Sequence, residues 1–147
     1  MKEIYIGYLQ KDKAAAEDIV GALESHGFSC YFAERDLLKD ESETVQTVDA
    51  ISACSIFILV ASRKVNKSNE ILDLLKIAQS KEKTIFTVFT DLFAVSADLR
   101  KALLKTRIFR AHNRNLKYHL KRIVLEVSYL LKKDNFFSEK TDTEQEA

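Results

Sequence analysis

Few residues of this chain have the type and spacing to do chemistry, and those that do sit where apolar runs stop. The run "CSIFILVA" (Cys54–Ala61) gives way to Ser62 and then to "SNEILDLLKIA" (Ser68–Ala78), which carries the acids Glu70 and Asp73. "EIYIGY" (Glu3–Tyr8) ends on Tyr8, whose ring could stack on a base. "FSCYF" (Phe28–Phe32) runs through Ala33 into Glu34, Arg35 and Asp36. The Arg35 guanidinium could contact a phosphate, or equally pair with Glu34 or Asp36 at the surface, which is worth little. Glu70, Asp73, Tyr8, Arg35 and Ser62 are therefore the candidates for a small-molecule site. Simpler roles are open to the acids: Glu70 favours the positive end of a helix, and Asp73 is solvated. The three glycines, Gly7, Gly21 and Gly27, form no phosphate-cradling loop. No nucleophile–His–acid spacing is present. His26, His112 and His119 are scattered and no CxxC pair exists, so no metal is expected.

The rest of the chain is that of one ordinary domain, with 147 residues, 46% hydrophobic and 31% charged. The net charge of +1 points to no particular partner, but it is unevenly spread. Lys101–Lys133 holds ten Lys or Arg against the single acid Glu126, and Asp134–Ala147 carries five acids and one Lys. A basic helix before an acidic tail could meet nucleic acid or a membrane surface. A solvated helix face and a disordered tail account for the same pattern, so neither partner is expected. The division that follows is a domain over residues 1–133 and an acidic, disordered tail over 134–147. Cys30 and Cys54 lie inside apolar runs and read as small hydrophobes of a reduced, cytoplasmic protein. "MKEIYIGY" enters a strand directly and no apolar stretch reaches the length of a span, so neither signal peptide nor anchor is expected.

The elements that must position these residues alternate. Strands are expected at Glu3–Tyr8, Phe28–Phe32, Cys54–Ala61, Lys83–Thr90 and, at an edge, Thr106–Phe109. Helices are expected at Lys13–His26, where Gly27 is a natural stop, and at Glu43–Ser52 with Val45, Val48 and Ile51 at roughly helical spacing. Further helices are expected at Ser68–Ser80, with Ile71, Leu74, Leu75 and Ala78 on one face, and at Ser96–Leu104 with Ser96 as N-cap. A long last helix is expected at Asn115–Lys132. Asp12 is the expected cap of the first helix. Such alternation predicts an α/β flavodoxin-like three-layer fold: a five-stranded parallel sheet, order 2-1-3-4-5, with helices on both faces. Ligands of such sheets sit beyond the carboxyl ends of the strands, near the switch in strand order.

Together these landmarks resemble the Toll/interleukin-1 receptor (TIR) domain family, in a bacterial-type stand-alone form. "EIYIGYLQKDKAAAEDIVGALESHGFSCYFAERDL" is similar to the family's opening strand, "K-D" turn, first helix and "G-F-x-V-(W/F)" run. "AISACSIFILVASRKVNKS" is similar to its "I-x-x-S-x-x-x-I-x-V-L-S" strand, and "KTIFTVFTD" to its fourth strand. The likeness covers about residues 3 to 132. It implies that Glu34–Glu43 is the BB loop, an exposed segment that mediates domain-to-domain contact and flanks the nucleotide pocket. Glu34, Arg35, Asp36, Leu37 and Leu38 are then the contact residues. This loop departs from the family in having neither Pro nor Gly, and it could be partly helical. Leu37 and Leu38 either dock on a neighbour or tuck into their own domain.

The resemblance also raises catalysis. Many TIR domains cleave the nicotinamide–ribose bond of NAD or cyclise the product. They use a Glu in a pattern like "S-x-W-V-x-x-E-L-x-x-A". Cleavage leaves an oxocarbenium-like ribosyl cation, which a carboxylate can stabilise while orienting the ribose hydroxyls. Laid on Ser68–Ala78, the pattern matches at Ser68, Leu75 and Ala78, has Glu70 at the aromatic position and puts Leu74 where the Glu belongs. Glu70 is one turn away, roughly 5–6 Å nearer the helix N-terminus. Asp73 is rotated by roughly 100°. The resemblance therefore implies a signalling and interaction module of innate immunity that pairs with other TIR domains, including its own copies, and needs no cofactor. The alternative is an NAD glycohydrolase or ADP-ribose cyclase using Glu70 or Asp73, with NAD as substrate, in bacterial antiphage defence. A response-regulator receiver shares the fold but needs an Asp where the third strand ends in Ala61 and Ser62.

Overall fold

The computed structural model describes residues 1–111 and 116–131. Strands β1 (Ile4–Gly7), β2 (Cys30–Tyr31), β3 (Ile56–Ala61), β4 (Thr84–Phe89) and β5 (Arg107–Arg110) form one sheet in the order β2-β1-β3-β4-β5. Every pairing is parallel, with Tyr5 opposite Phe57 and Gly7 opposite Leu59 between β1 and β3. The helices are α1 (Lys13–Ser25), α2 (Ala33–Asp36), α3 (Glu43–Ala53), α4 (Asn69–Ser80), α5 (Ala97–Ala102) and α6 (Leu116–Leu131). The flavodoxin-like order expected from the alternation is the one found. The proposed acidic tail, His112 and the outer ends of the last expected helix lie outside the described residues.

Strand pleating divides the core into two layers, because successive side chains leave opposite faces. Ile4, Ile6, Ile56, Ile58 and Val60 meet Ile19 and Leu23 of α1 and Ile123 and Val127 of α6. Tyr5, Phe57, Leu59 and Ala61 meet Ile51 of α3, Ile71 and Leu75 of α4 and Leu99 of α5. All six residues of β3 are buried, which explains its unbroken apolar run: a central parallel strand is covered on both faces.

Local chemistry fixes the boundaries. Ser42, Ser68 and Ser96 each accept a hydrogen bond from the backbone three residues on, so each caps its helix. Gly27 has φ +89°, the left-handed geometry that ends α1 with least strain. Asp12 corrects one expectation: it stands at the N-cap of α1 but its side chain makes no capping bond there. Its carboxylate instead accepts from the Ser62 hydroxyl at 2.8 Å, tying the loop after β1 to the end of β3. The second strand shrinks to Cys30–Tyr31, because Phe32 already turns into α2. Of the apolar residues spaced along α3, Ile51 is buried and Val45 is 58% exposed. Both cysteines are buried and free. Burial pushes the Cys30 thiol up to about 12 and raises that of Cys54, so both are poor nucleophiles. No described helix is long and apolar enough to cross a membrane.

Candidate functional site

The sheet order reverses between β1 and β3, and a cleft of about 240 Å³ opens there beyond the strand ends. Tyr5 and Tyr8 contribute from β1 and its exit. Ala33, Glu34 and Leu37 come from α2 and the loop behind it, and Glu43 and Thr47 from the first turns of α3. Glu70 and Leu74 come from α4. Tyr5, Tyr31 and Phe57 stack side by side across three strands, with centroids 5.2 and 5.4 Å apart, and this stack supports the cleft from below. Gly7 makes room for it, since a Cβ there would lie 2.7 Å from Phe57 Cζ. Burial raises the Tyr5 phenol well above its ordinary range, so it stays protonated.

Tyr8 is fixed rather than free. Its ring stacks on Phe32 with centroids 5.1 Å apart, and its hydroxyl accepts the Glu34 N–H at 3.0 Å. Burial raises its pKa too. Three glutamates, Glu34, Glu43 and Glu70, line the cleft, and no lysine or arginine does. Lys13 reaches Glu34 at 3.3 Å from outside. Glu70 is exposed at the start of α4, whereas Leu74 one turn on is half-buried and packs against the core layer of Phe57 and Leu75.

The remaining candidates stand elsewhere. Asp73 is exposed on another side of α4 and does not line the cleft. Ser62 lies in a separate hollow, bonded to Asp12. Arg35 faces away from the cleft into a hub of its own. Nη1 and Nη2 bind both oxygens of Glu24 at 2.9 Å, Nη2 also donates to the Cys30 carbonyl at 2.8 Å, and Nε donates to Asp36 at 2.9 Å. Asp36 in turn accepts the Phe32 N–H at 2.9 Å, closing α2 on itself. A chain with neither Pro nor Gly is thus turned by side-chain bonds. Gln46 completes the turn: it accepts from Leu38 N–H at 2.7 Å and donates to the carbonyls of Leu38 and Glu41 at 2.8 and 3.1 Å. The two loop leucines part company, Leu37 lining the cleft and Leu38 standing 58% exposed. Sequence reasoning missed Thr47, Glu43 and Gln46. Nothing local signals Gln46, because its partners belong to a loop that only the fold brings near.

The hub predicts a pH response. Hydrogen bonding from Arg35 lowers the Glu24 pKa. At Asp36 partial burial pushes upward, but Arg35 and the Phe32 N–H outweigh it and the pKa is lowered. A depressed folded-state pKa gives stability that is present above the unfolded value, about 4, and lost as pH falls through the folded one. Amides of residues 32–37, corrected for intrinsic rate, should therefore exchange faster at about pH 2–3 than at pH 6. Arg35→Ala should remove most of that difference; an unchanged difference would show that the hub is not its source.

Among the described residues no cluster of His, Cys, Asp and Glu could hold a metal. Parallel order and the cleft at the reversal define a flavodoxin-like fold with a small acidic recess. The TIR domain family model matches residues 4–122, and the chain belongs to that family. A stimulator of interferon genes protein from Magallana gigas is 45% identical over 51 residues, 35% of this chain and 12% of that protein. A metazoan TIR-STING receptor from C. gigas, solved with 2',3'-cGAMP, superposes with TM-score 0.69 at 24% identity, over 87% of this chain and 40% of the receptor. The chain thus spans well under half the length of these relatives. The same fold occurs in the Clostridium botulinum CMP N-glycosidase BcmB, with TM-score 0.57, 18% identity and coverage of 81% and 97%. It occurs also in the RPS4 and RRS1 TIR domain heterodimer, with TM-score 0.61, 15% identity and coverage of 86% and 96%.

Proposed function

We propose that this chain is a cytoplasmic TIR interaction module that signals by pairing with a second TIR domain, its own copy included, through residues 34–45. Leu74 carries the reading. By resemblance this position belongs to the catalytic Glu, and a leucine that packs against the core there offers no charge to a ribosyl cation. Two features of the cleft support it. Its volume of about 240 Å³ is under the roughly 300–1,000 Å³ of small-molecule sites. Its three glutamates, without a lining cation, would repel the phosphates of a dinucleotide. Leu38 and Val45, each 58% exposed on the segment that Gln46 braces, supply apolar contact of the kind that centres an interface. The RPS4–RRS1 heterodimer is a pairing of the same fold.

A second reading has one observation in its favour. Glu70 lines the same cleft as Leu74, one helical turn away, so a carboxylate is within reach of a small glycoside. That reading is a glycohydrolase or cyclase acting on NAD, and the Clostridium botulinum CMP N-glycosidase has the same fold. One experiment separates the two. NAD is incubated with the protein across a concentration series, wild type beside Glu70→Gln and Asp73→Asn, while light scattering follows assembly. The module reading expects assembly without turnover. Turnover that Glu70→Gln abolishes would establish the enzyme, and a strictly monomeric, inactive chain would remove homotypic pairing.

A further inference from the structure

α6 carries two apolar stripes, and the fold accounts for one of them. Ile123, Val124 and Val127 are buried in the core layer that α6 shares with α1 and the sheet. On the other side of the helix Tyr118, Leu125 and Tyr129 are 71%, 70% and 50% exposed. At about 100° per residue these three fall within roughly 40° of one another, along roughly 16 Å of helix axis. Lone exposed apolar residues are ordinary, but three in line on one ridge need a reason. Cations border the ridge. Lys121 stands on one flank with Lys117 beyond it, and Arg122 on the other, all exposed. Among the described residues no carboxylate bridges these three. Glu126, the one acid of α6, is already held by Arg107 at 2.8 Å. Solvation of a helix face explains the cations of this stretch. It does not explain the two tyrosines and the leucine set among them.

We infer that the outer side of α6 is a peripheral docking surface for a bilayer rich in anionic lipid. Leu125 enters the acyl boundary, Tyr118 and Tyr129 sit at headgroup level, and Lys117, Lys121 and Arg122 reach the lipid phosphates. A helix lying in the interface needs this pattern: an apolar crest, aromatic rings with a wet end, and long cationic stems beside them. Charge complementarity selects the occupant. A second copy brought face to face on this ridge would set Lys117, Lys121 and Arg122 against their counterparts. A nucleic acid would use the cations and leave Leu125 with nothing to cover it. Arg122 is held in place, its guanidinium 5.8 Å from the centre of the Phe109 ring. The surface shares no residue with 34–45 or with the cleft, so the inference stands or falls apart from the proposed pairing.

The test uses the full chain and two kinds of vesicle, phosphatidylcholine alone and phosphatidylcholine with about 30% phosphatidylserine. Flotation at about 0.1 M salt should recover the protein with the anionic vesicles and leave it behind with the neutral ones. Lys117→Glu/Lys121→Glu should weaken binding at least twentyfold, since each surface cation contributes about fivefold. Leu125→Ser/Tyr129→Ser keeps the charge and should weaken it at least tenfold. All four side chains are exposed, so melting midpoints should stay within a few degrees of wild type. The chain has no tryptophan, so Leu125→Trp is a single reporter, and its emission should move to shorter wavelength on the anionic vesicles. Equal recovery with both vesicles, or with neither, would overturn the inference. So would binding that survives the serine variant with the reporter unshifted, because the surface would then only attract polyanions. A short DNA duplex bound more tightly than the anionic vesicles at the same salt would make the partner a nucleic acid and overturn it too.

Discussion

Leu38→Asp is expected to weaken association between copies of this chain about 30-fold, the equivalent of roughly 2 kcal/mol for a side chain at the centre of a contact. The argument is one of position. Residues 37–42 are held from within by Gln46, which makes four bonds to the loop backbone, so the segment is presented rigidly rather than ordered on contact. A rigid apolar projection loses less entropy on docking than a loose one. Leu38 is 58% exposed, so placing a carboxylate there costs the isolated domain little, and its thermal midpoint should hold within about two degrees. Leu92→Asp is the control: that side chain is 73% exposed on a different loop and should leave association unchanged. Sedimentation velocity across a concentration series reads both. A dissociation constant within threefold of wild type in Leu38→Asp would move the interface away from this segment.

Phe57→Ala should have the largest effect on stability, about 3–5 kcal/mol, which is the usual cost of deleting a buried phenyl ring. Phe57 is 0% exposed and stacks on Tyr5 at 5.2 Å, with Tyr31 beyond it. Its loss removes the support under the cleft as well as core volume. A fall of roughly 10–20 °C in melting midpoint follows for a domain of this size. Gly7→Ala attacks the same stack from the other side. Its Cβ would come to 2.7 Å from Phe57 Cζ, too close to fit without movement, and overpacking of this sort costs about 1–3 kcal/mol. The two changes should not add: once the ring is gone, the alanine has space, and the double variant should be less unstable than the sum. Urea titration of the four proteins checks this, and strict additivity would mean that Gly7 and Phe57 do not share the contact described.

Much of the architecture was legible in the sequence, and for a physical reason. Strand and helix periods are local properties, and β3, six apolar residues rich in Ile, Val and Phe and too short for a helix, has the pattern of a strand covered on both sides. The cap expected at Ser96 obeys the same locality, because its bond spans three residues, and the equivalent caps at Ser42 and Ser68 went unread. From these the order of elements, the parallel sheet and the place of a cleft at its reversal all follow. Asp12 shows the limit. Its sequence context is that of a cap, yet a hydroxyl fifty positions away takes its carboxylate.

The site depends on distances of that kind. The sequence determined that Glu70, Asp73 and Leu74 share one helix. Only the tertiary structure decided that Glu70 and Leu74 face a common recess while Asp73 does not. It likewise turned Arg35 away from that recess, since Glu24, eleven positions earlier, and Asp36 together offer its guanidinium more than solvent does. Leu37 and Leu38 are adjacent and chemically alike, yet one is drawn into the cleft and the other left in water. Period and capping are written into neighbouring residues. Which side chain meets which across the fold is settled by packing, and packing depends on every element at once.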